Sequence, residues 1–255
     1  MRSDDFSDLF ELEETLWWFR GMREITRALL DPELGESIPR KILDAGCGAG
    51  GNLKFLERYS NGEAVTGIDV SADALHFCRL AGAASLAQAS ATGLPFPSSH
   101  FDVVTSFDVL VQIPGEGADL QAMREMFRVL KPGGIAFVRA AAFEWMRAGH
   151  DAAMNTQRRY RLGELREKLG RSGFEVVRAT YVNTALFPVA MMKRLVLEPL
   201  GIASKGSDVR KFSTPLAWLD PIFRSALSGE AAVLRRRRFD FPYGLSVICV
   251  VRKPA

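Results

Sequence analysis

The clearest candidate for chemistry is a glycine loop, KILDAGCGAGGN at residues 41–52, with an acid just before it. Asp44 ends a short run of strand-forming residues, and Gly46 and Gly48 follow it before a helical pattern begins near Asn52. Backbone N–H groups and a helix N-terminus converge above such a loop, which suits an anionic group. Side chains at 46 and 48 would block a ligand from approaching the backbone, so glycine has a physical reason at both positions.

A second acid lies in the sequence GIDV, where Asp69 ends the next strand-like run about twenty residues past the loop. At that distance a carboxylate can bind both ribose hydroxyls of an adenosine. Asp44 could hold a cationic amino group or orient the loop, whereas a pyrophosphate would gain nothing from a carboxylate there. The letters GCGAGG also satisfy G-x-G-x-x-G, the dinucleotide pattern, so a nicotinamide cofactor stays open as an alternative.

These side chains must be positioned by an α/β scaffold, because strand-like runs alternate with helical patterns from about residue 41 onward. Such alternation predicts a largely parallel sheet with helices on both faces. The predicted boundary at Lys131-Pro132-Gly133-Gly134 ends one helix and turns into a strand. The strand-like runs are KILDA, AVTGIDV, FDVVTSFDVL, GIAFVRA, FEVVRATYV and LSVICVV.

The composition predicts one globular domain. The chain has 255 residues, 47% of them apolar and 25% charged, and a net charge of +3. That charge is too small to indicate a nucleic-acid partner.

The sequence predicts a cytoplasmic protein. The acidic N-terminus lacks the basic-then-apolar order of a signal peptide, and no run of about 18 apolar residues offers a membrane span. Three cysteines at unrelated spacings predict neither a disulfide framework nor a structural metal.

Two segments are predicted to lie outside the cofactor-binding core, which we place at residues 39–182. Residues 1–38 have helical periodicity with a stop near Pro32 and form a predicted helical lid. Residues 183–240 form a predicted cap or substrate insertion, and 241–255 carry the closing strand. The apolar residues from Leu186 to Val196 are predicted to belong mostly to the core. Together with PLAWLDPIFRSAL at 215–227 they supply more apolar side chains than the sheet needs, which predicts an apolar acceptor pocket under a cap.

The chain resembles the class I S-adenosylmethionine-dependent methyltransferases. LDAGCGAG resembles the first motif of that family, GIDVS the second, ASATGLPFPSSHFDVV the third and fourth, and MFRVLKPGG the segment before the fifth strand. The resemblance covers roughly residues 39–140. It implies a Rossmann-like seven-stranded sheet with an antiparallel last strand, Asp44 and the glycine loop near the methionine moiety, and Asp69 on the ribose.

The resemblance also implies where adenine would lie. Ser90 stands where the family usually has an acid facing the adenine amino group, so weaker polar or backbone contacts must hold the base. Its predicted apolar neighbours include Ile68 and Leu94. The complete set of predicted cofactor-binding residues is Asp44, Gly46, Cys47, Gly48, Asp69, Val70, Ser90, Ala91 and Phe107.

A closer resemblance, to a bacterial subgroup of these enzymes, covers LEETLWWFRGMREI, the middle segment with HDAAMNTQRRY, and the closing FPYGLSVICVV. It implies no particular acceptor. Trp17, Trp18 and Phe19 spread over about 200° of a helix and cannot all face one core. Two interpretations of this helix stay open: a lid over cofactor and acceptor, which would exclude water, or simple packing on the domain.

Three residues are candidates for a general base: Tyr160, Asp108 and His150, which is followed by Asp151. Enzymes of this class often have a histidine after the fourth strand, but Gln112 stands there, and a neutral amide cannot take a proton. Either the base comes from elsewhere or the acceptor is already nucleophilic. Arg159, in the run Arg158-Arg159-Tyr160-Arg161, is a candidate for an anion clamp, with solvated charges as the alternative.

These observations predict an S-adenosylmethionine-dependent enzyme that methylates oxygen or carbon of a small, apolar molecule in secondary-metabolite or lipid biosynthesis. Two alternatives remain. One is a nicotinamide-dependent oxidoreductase, and the other is an S-adenosylmethionine-binding protein that catalyses a different reaction, such as a rearrangement. The predicted partner is a small-molecule acceptor, without nucleic acid or a membrane span.

Overall fold

Seven strands form one mixed sheet in the order β3-β2-β1-β4-β5-β7-β6. The computed structural model describes residue 13 and residues 16–35, 38–202, 219–237 and 239–255, apart from the side chains of residues 150 and 153. β7 runs antiparallel to both neighbours, and the remaining pairs are parallel, as the resemblance implied. The strands are β1 (Ile42–Ala45), β2 (Val65–Asp69), β3 (Ser85–Gln88), β4 (Phe101–Phe107), β5 (Leu130–Ala141), β6 (Glu175–Val182) and β7 (Ser246–Arg252).

Helices cover both faces of the sheet, as the alternating pattern predicted. α4 ends at Val129 and β5 begins at Leu130, which confirms the boundary expected at the Lys-Pro-Gly-Gly turn. The helices are α1 (Trp17–Leu34), α2 (Gly51–Ser60), α3 (Ala72–Leu80), α4 (Ala118–Val129), α5 (Gly149–Ala153), α6 (Leu162–Arg171), α7 (Phe187–Met192) and α8 (Leu219–Leu234). A 3₁₀ turn spans Glu144–Met146, and a π-helical turn spans Lys193–Leu197.

The sheet separates two hydrophobic cores. Because successive strand residues point to opposite faces, Ala136 and Val138 of β5 lie in one core, and Ile135 and Phe137 lie in the other. The first core is closed by α4 and α6, and the second by α1, α2, α3 and α8. β1, with all four residues buried, lies near the middle of the sheet, where a continuous apolar strand is expected.

β1, β2, β4 and β5 run parallel, so their carboxyl ends meet at one edge of the sheet, which we call the carboxyl edge. β6 ends at the same edge, because β5 and β6 are both antiparallel to β7. In open α/β sheets, ligands bind outside this edge, next to the point where the strand order reverses. Here that point lies between β1 and β4, directly beside the glycine loop.

α1 packs along α8 at a close approach. A Cβ on Gly21 would lie 2.6 Å from the Cβ of Leu227, so glycine permits this distance between the two helices. α1 continues two residues past Pro32, the predicted stop, and ends at Leu34 before Gly35 with φ of 57°. No helix among the described residues is long and apolar enough to cross a bilayer.

The insertion after β6 differs from the expected core packing. Leu186 is buried, but Val189, Met192 and Leu195 are 54%, 54% and 44% exposed. Helical spacing alone predicted core for these residues, yet spacing does not say whether a second element covers the apolar face. Residues 203–218, which include part of the predicted cap, lie outside the described residues.

Candidate cofactor site

The glycine loop joins β1 to α2 and is anchored on β2. The N–H groups of Gly46 and Cys47 both donate to the carbonyl of Ile68, at 2.9 and 2.8 Å. Gly46 has φ of 94°, and a Cβ there would overlap Val109, so both backbone conformation and space require glycine. At Gly48, with φ of 55°, a Cβ would meet no atom within 4 Å, so the loop backbone faces open space.

Asp69 at the end of β2 is bonded directly to this loop. Its Oδ2 accepts a hydrogen bond from the N–H of Gly48 at 3.0 Å, and its Oδ1 accepts one from Ser71 at 2.9 Å. The carboxylate is half-buried, and the next residue, Val70, is 65% exposed. Each oxygen keeps lone pairs for a further donor, as binding of a ribose diol requires. The structure therefore brings the predicted loop and the predicted ribose ligand together.

Asp44 lies at the end of β1, 1% exposed, where its Oδ1 accepts a hydrogen bond from the Thr105 hydroxyl at 2.7 Å. Burial raises the pKa of Asp44 to about 7, with a further increase from the nearby carboxylate of Glu13. A buried acid with one neutral partner favours a cation beside it. Open backbone above Gly48, an under-compensated acid and a half-buried carboxylate fit the amino-acid and ribose groups of S-adenosylmethionine.

A third acid at the site escaped the sequence reasoning. Glu13 is 7% exposed, and its Oε2 accepts a hydrogen bond from the N–H of Gly51, the first residue of α2, at 2.7 Å. Nothing local distinguishes Glu13 from the other acids of ELEE. Its one signal is a position four residues before Trp17, in a segment that was predicted to cover the site.

Trp18 of the predicted lid packs onto the carboxyl edge through Arg139 of β5. The Arg139 guanidinium lies 5.2 Å from the ring centres of both Trp18 and Phe107. It also forms an ion pair with Asp108 at 2.7 Å. Phe107, a predicted cofactor neighbour, therefore lies at the carboxyl edge. Asp108, one predicted base, is held in an ion pair.

The remaining lid residues also pack on the domain. Trp17 lies 5.2 Å from Phe223 of α8, ring centre to ring centre, and Phe19 packs edge-on against Trp18 at 4.9 Å. All three aromatic side chains of Trp17–Phe19 are half-buried. The same helix therefore contacts both α8 and the end of β5, which is packing on the domain, and a covering role for it stays a prediction.

Of the other predicted cofactor-binding residues, Ala91 is buried, and Ser90 is half-buried with its hydroxyl 2.8 Å from that of Thr92. Cys47 turns inward, with its Sγ 3.8 Å from the Sγ of Cys78. Its backbone N–H is bonded to β2, and its carbonyl accepts a bond from Gly50. Cys47 therefore shapes the loop, and its contact with the cofactor stays a prediction.

Tyr160 requires a correction. It is completely buried, and its hydroxyl donates to Asp119 at 2.7 Å; burial and this carboxylate raise its pKa. Deprotonation at neutral pH is therefore disfavoured, and we assign Tyr160 a packing role in place of the expected catalytic one.

The Arg159 guanidinium also binds groups within the protein. Its Nε and Nη2 donate to the two oxygens of Asp151 at 2.7 and 3.0 Å, and Nη1 donates to the Ala142 carbonyl. Both side chains of this ion pair are 2% exposed. The bidentate geometry expected of an anion clamp is therefore present, but its anion belongs to the protein.

The other candidates near the acceptor side are Gln112 and His150. Gln112 follows β4 and is half-buried, with its N–H bonded to the Val109 carbonyl at 2.8 Å. His150 belongs to α5, beyond the carboxyl end of β5, but its side chain lies outside what the structure describes. A histidine base therefore stays a prediction.

An aromatic group borders the same edge beyond β5 and β6. Phe143 stacks on Tyr181 at 5.0 Å, and Phe187 packs against Phe143, Trp145 and Tyr243 at 5.5 to 5.9 Å. Trp145 and Tyr243 are 47% and 45% exposed. This group, with the exposed apolar residues after Phe187, forms an apolar wall beside the carboxyl edge.

A cavity of about 440 Å³ lies away from this site. Its walls include the first half of β6 and the end of β7, so it opens at the opposite edge of the sheet. Four arginines line it, and three of them are paired with Glu33 or Asp240. This arginine-lined cavity does not match the apolar acceptor pocket that was expected.

Comparison with known proteins agrees with the geometry. Residues 43–138 match the family described as "Methyltransferase domain". A fatty-acid O-methyltransferase from Mycolicibacterium smegmatis is 35% identical over 124 residues, which are 45% of this chain and 44% of that protein. A malonyl-[acyl-carrier protein] O-methyltransferase from Enterobacter lignolyticus is 41% identical over 104 residues, 40% and 39% of the two chains. The chain thus spans less than half the length of these relatives.

Solved structures share the fold over nearly the whole chain. A methyltransferase from Archaeoglobus fulgidus superposes with a TM-score of 0.59 over 96% of this chain and 99% of its own, at 16% identity. The [4+2]-cyclase SpnF gives a TM-score of 0.57 over 91% and 81%, at 24% identity. Residues 43–138 thus match the methyltransferase-domain family, and the sheet order and the glycine-loop site agree with the class I S-adenosylmethionine-dependent methyltransferase fold that the sequence resembles.

Proposed function

We propose that this protein binds S-adenosylmethionine above the glycine loop and transfers its methyl group to a small, apolar molecule that bears a carboxylate. The observation that carries cofactor binding is the junction of two strand ends and one loop. Asp69 of β2 holds the N–H of Gly48, while Asp44 lies buried at the end of β1. Bound S-adenosylmethionine would place its ribose on Asp69 and its amino-acid group toward Asp44.

The protein's catalytic contribution is then mainly positional. S-adenosylmethionine, when bound, would supply a methyl group whose bond to the sulfonium sulfur breaks as the acceptor attacks the methyl carbon, with S-adenosylhomocysteine as the leaving group. The glycine loop and Asp69 would hold the methyl donor in a fixed position, and the apolar wall around Phe187 would orient the acceptor toward it. Trp18, packed against the Arg139 guanidinium that also contacts Phe107, would keep water from the carboxyl edge.

The acceptor is proposed from the described side chains that are unsuited to act as a base, while a base at His150 stays a separate prediction. Tyr160 is buried, Asp108 is paired with Arg139, and Gln112 cannot take a proton. A carboxylate needs no base, because it is ionised and nucleophilic at neutral pH. The fatty acid named for the Mycolicibacterium relative combines a carboxylate with an apolar chain, which the exposed apolar wall would suit. Methylation of its carboxylate would form an ester.

Two measurements test the proposal. Calorimetric titration with S-adenosylhomocysteine and with NADH decides the cofactor, and we expect binding of the former only. Incubation with methyl-labelled S-adenosylmethionine and fatty acids should then give labelled methyl esters. Fatty alcohols of equal length are the control acceptors. Binding of NADH alone would contradict the cofactor, and conversion of an acceptor without label transfer would contradict methylation.

A further inference from the structure

Glu13 places a carboxylate from the N-terminal segment inside the predicted cofactor site. Its Oε2 accepts the N–H of Gly51 at 2.7 Å, immediately after the glycine loop, and its side chain leaves no room for a Cβ at Gly51. With 7% exposure, it is almost completely removed from water. Burying a carboxylate is unfavourable unless something compensates its charge.

The charged groups around Glu13 give little compensation. Arg23 of α1 faces it, with Nη2 donating to the Gly51 carbonyl at 2.8 Å, and Arg139 of β5 faces it while paired with Asp108 at 2.7 Å. Asp44 of β1 faces the same space and repels Glu13, and Asp69 of β2 adds a further negative charge near Asp44. Three acids therefore surround the loop against two cations, of which Arg139 is already paired with Asp108.

This balance leaves both buried acids poorly ionised. Burial raises the pKa of Glu13 to about 7 and that of Asp44 to about 7, against weaker lowering by Arg23 and Arg139. A cation placed between the two carboxylates would restore their ionised forms. Proton release would then accompany binding near neutral pH.

We propose that Glu13 is a cofactor-binding residue, which with Asp44 receives the ammonium group of the amino-acid end of the cofactor. This inference rests on the proposed function, because it takes S-adenosylmethionine as the ligand. It gives the N-terminal segment a direct contact with the cofactor, in addition to coverage of the site. A residue that only capped α2 would bond Gly51 equally well without a charge.

Glu13→Gln separates these two roles, because the amide oxygen still accepts the Gly51 N–H while the charge is lost. The control is Glu24→Gln on α1, where the acid pairs with Arg224 at 3.9 Å. The probe is S-adenosylhomocysteine, which has the same amino-acid end as the methyl donor. Calorimetry of the full chain at pH 7, in two buffers of different ionisation enthalpy, gives both affinity and protons released.

We expect the unmodified chain to release protons on binding and to bind more tightly as the pH rises from 6 to 8. In Glu13→Gln, affinity should fall about tenfold and proton release should decrease, with the remainder from Asp44. Glu24→Gln should match the unmodified chain. Thermal unfolding confirms that each variant is folded.

Equal affinity and equal proton release in Glu13→Gln would overturn the inference and leave cofactor binding intact. Tighter binding would also overturn it, because Glu13 would then compete with the cofactor for the start of α2. If the unmodified chain bound no S-adenosylhomocysteine, the proposed function itself would fail, and this assignment with it.

Discussion

Asp69 accepts two backbone hydrogen bonds, from Gly48 and Ser71, so it supports the loop as well as any ligand. We expect Asp69→Ala to weaken S-adenosylhomocysteine binding by about 10- to 100-fold, since a hydrogen bond to a charged group contributes about 1.5–3 kcal/mol. Asp73→Ala, which removes an exposed acid in the first turn of α3, is the matched control. Calorimetry that finds equal affinity for both variants would remove Asp69 from the ribose site.

Asp44 should make stability depend on pH in an unusual direction. Its pKa in the fold is about 7, above the ordinary value of 3.8, so the folded chain holds a proton that the unfolded chain loses. This contribution is complete below about pH 4 and is lost as the pH rises through 7. Asp44→Asn should therefore raise the free energy of unfolding by about 1–4 kcal/mol at pH 8, and by much less at pH 5. Urea unfolding at both pH values measures the difference, and a gain independent of pH would contradict it.

Individual site residues differed in how well the sequence predicted them. Asp44, Gly46, Gly48 and Asp69 were predictable, because a loop between adjacent strands is determined by a few neighbouring residues. The structure also shows Tyr160 bonded to Asp119, which lies 41 positions away. No local pattern reveals such a partner, so an inward-facing tyrosine reads as a candidate base.

At the level of helices, the contact of Gly21 with Leu227 fixes how closely α1 approaches α8. We expect Gly21→Ala to lower the free energy of unfolding by about 1–3 kcal/mol, because the new Cβ would overlap the Leu227 side chain. This loss is expected even though alanine favours helices. Leu227→Ala removes the overlap, so the double variant should lose less than the two single variants together. A double-mutant cycle by urea unfolding measures the coupling, and strictly additive losses would contradict the contact.

The ion pair between Asp151 and Arg159 fastens α5 to the segment before α6. Both side chains are 2% exposed. Arg159→Ala should therefore lower the free energy of unfolding by about 3–5 kcal/mol, because the buried carboxylate of Asp151 loses its ion-pair partner. Arg171→Ala is the comparison, because Arg171 and Glu167 are 3.9 Å apart and more than half exposed. In Arg171→Ala the free energy of unfolding should fall by less than about 1 kcal/mol. Similar losses in denaturant unfolding would contradict a structural role for the buried pair.

The sequence predicted the elements with strong patterns and missed one with a weak pattern. The six strand-like runs are all strands, whereas β3, which reads SLAQ, has only one residue of high apolar character and no β-branched residue. Its pairing with β2 depends on the neighbouring strand more than on its own sequence. Exposure of Val189 and Met192 escaped prediction for a related reason, since periodicity does not identify the covering element.

Across the whole molecule, β7 joins the two parts of the sheet, because it pairs with β5 on one side and β6 on the other. We expect a chain that ends after Gly244 to lose cooperative thermal unfolding, since β6 then lacks its partner strand. A chain that ends after Lys253 is the control, because it keeps the bonds from the Lys253 ammonium to Phe127 and Leu130. Native circular dichroism with a sharp melt in the shorter chain would contradict this dependence.

The position of β7 also has a consequence for synthesis on the ribosome. β6 ends at Val182, and its partner strand begins only at Ser246. At about 5–20 residues per second, translation takes roughly 3–13 s to cross that interval. During this time β6 and the free side of β5 present unpaired backbone groups, which can pair with other nascent chains. Slower translation of the insertion should therefore increase aggregation, and a chaperone that shields strand edges should increase the yield.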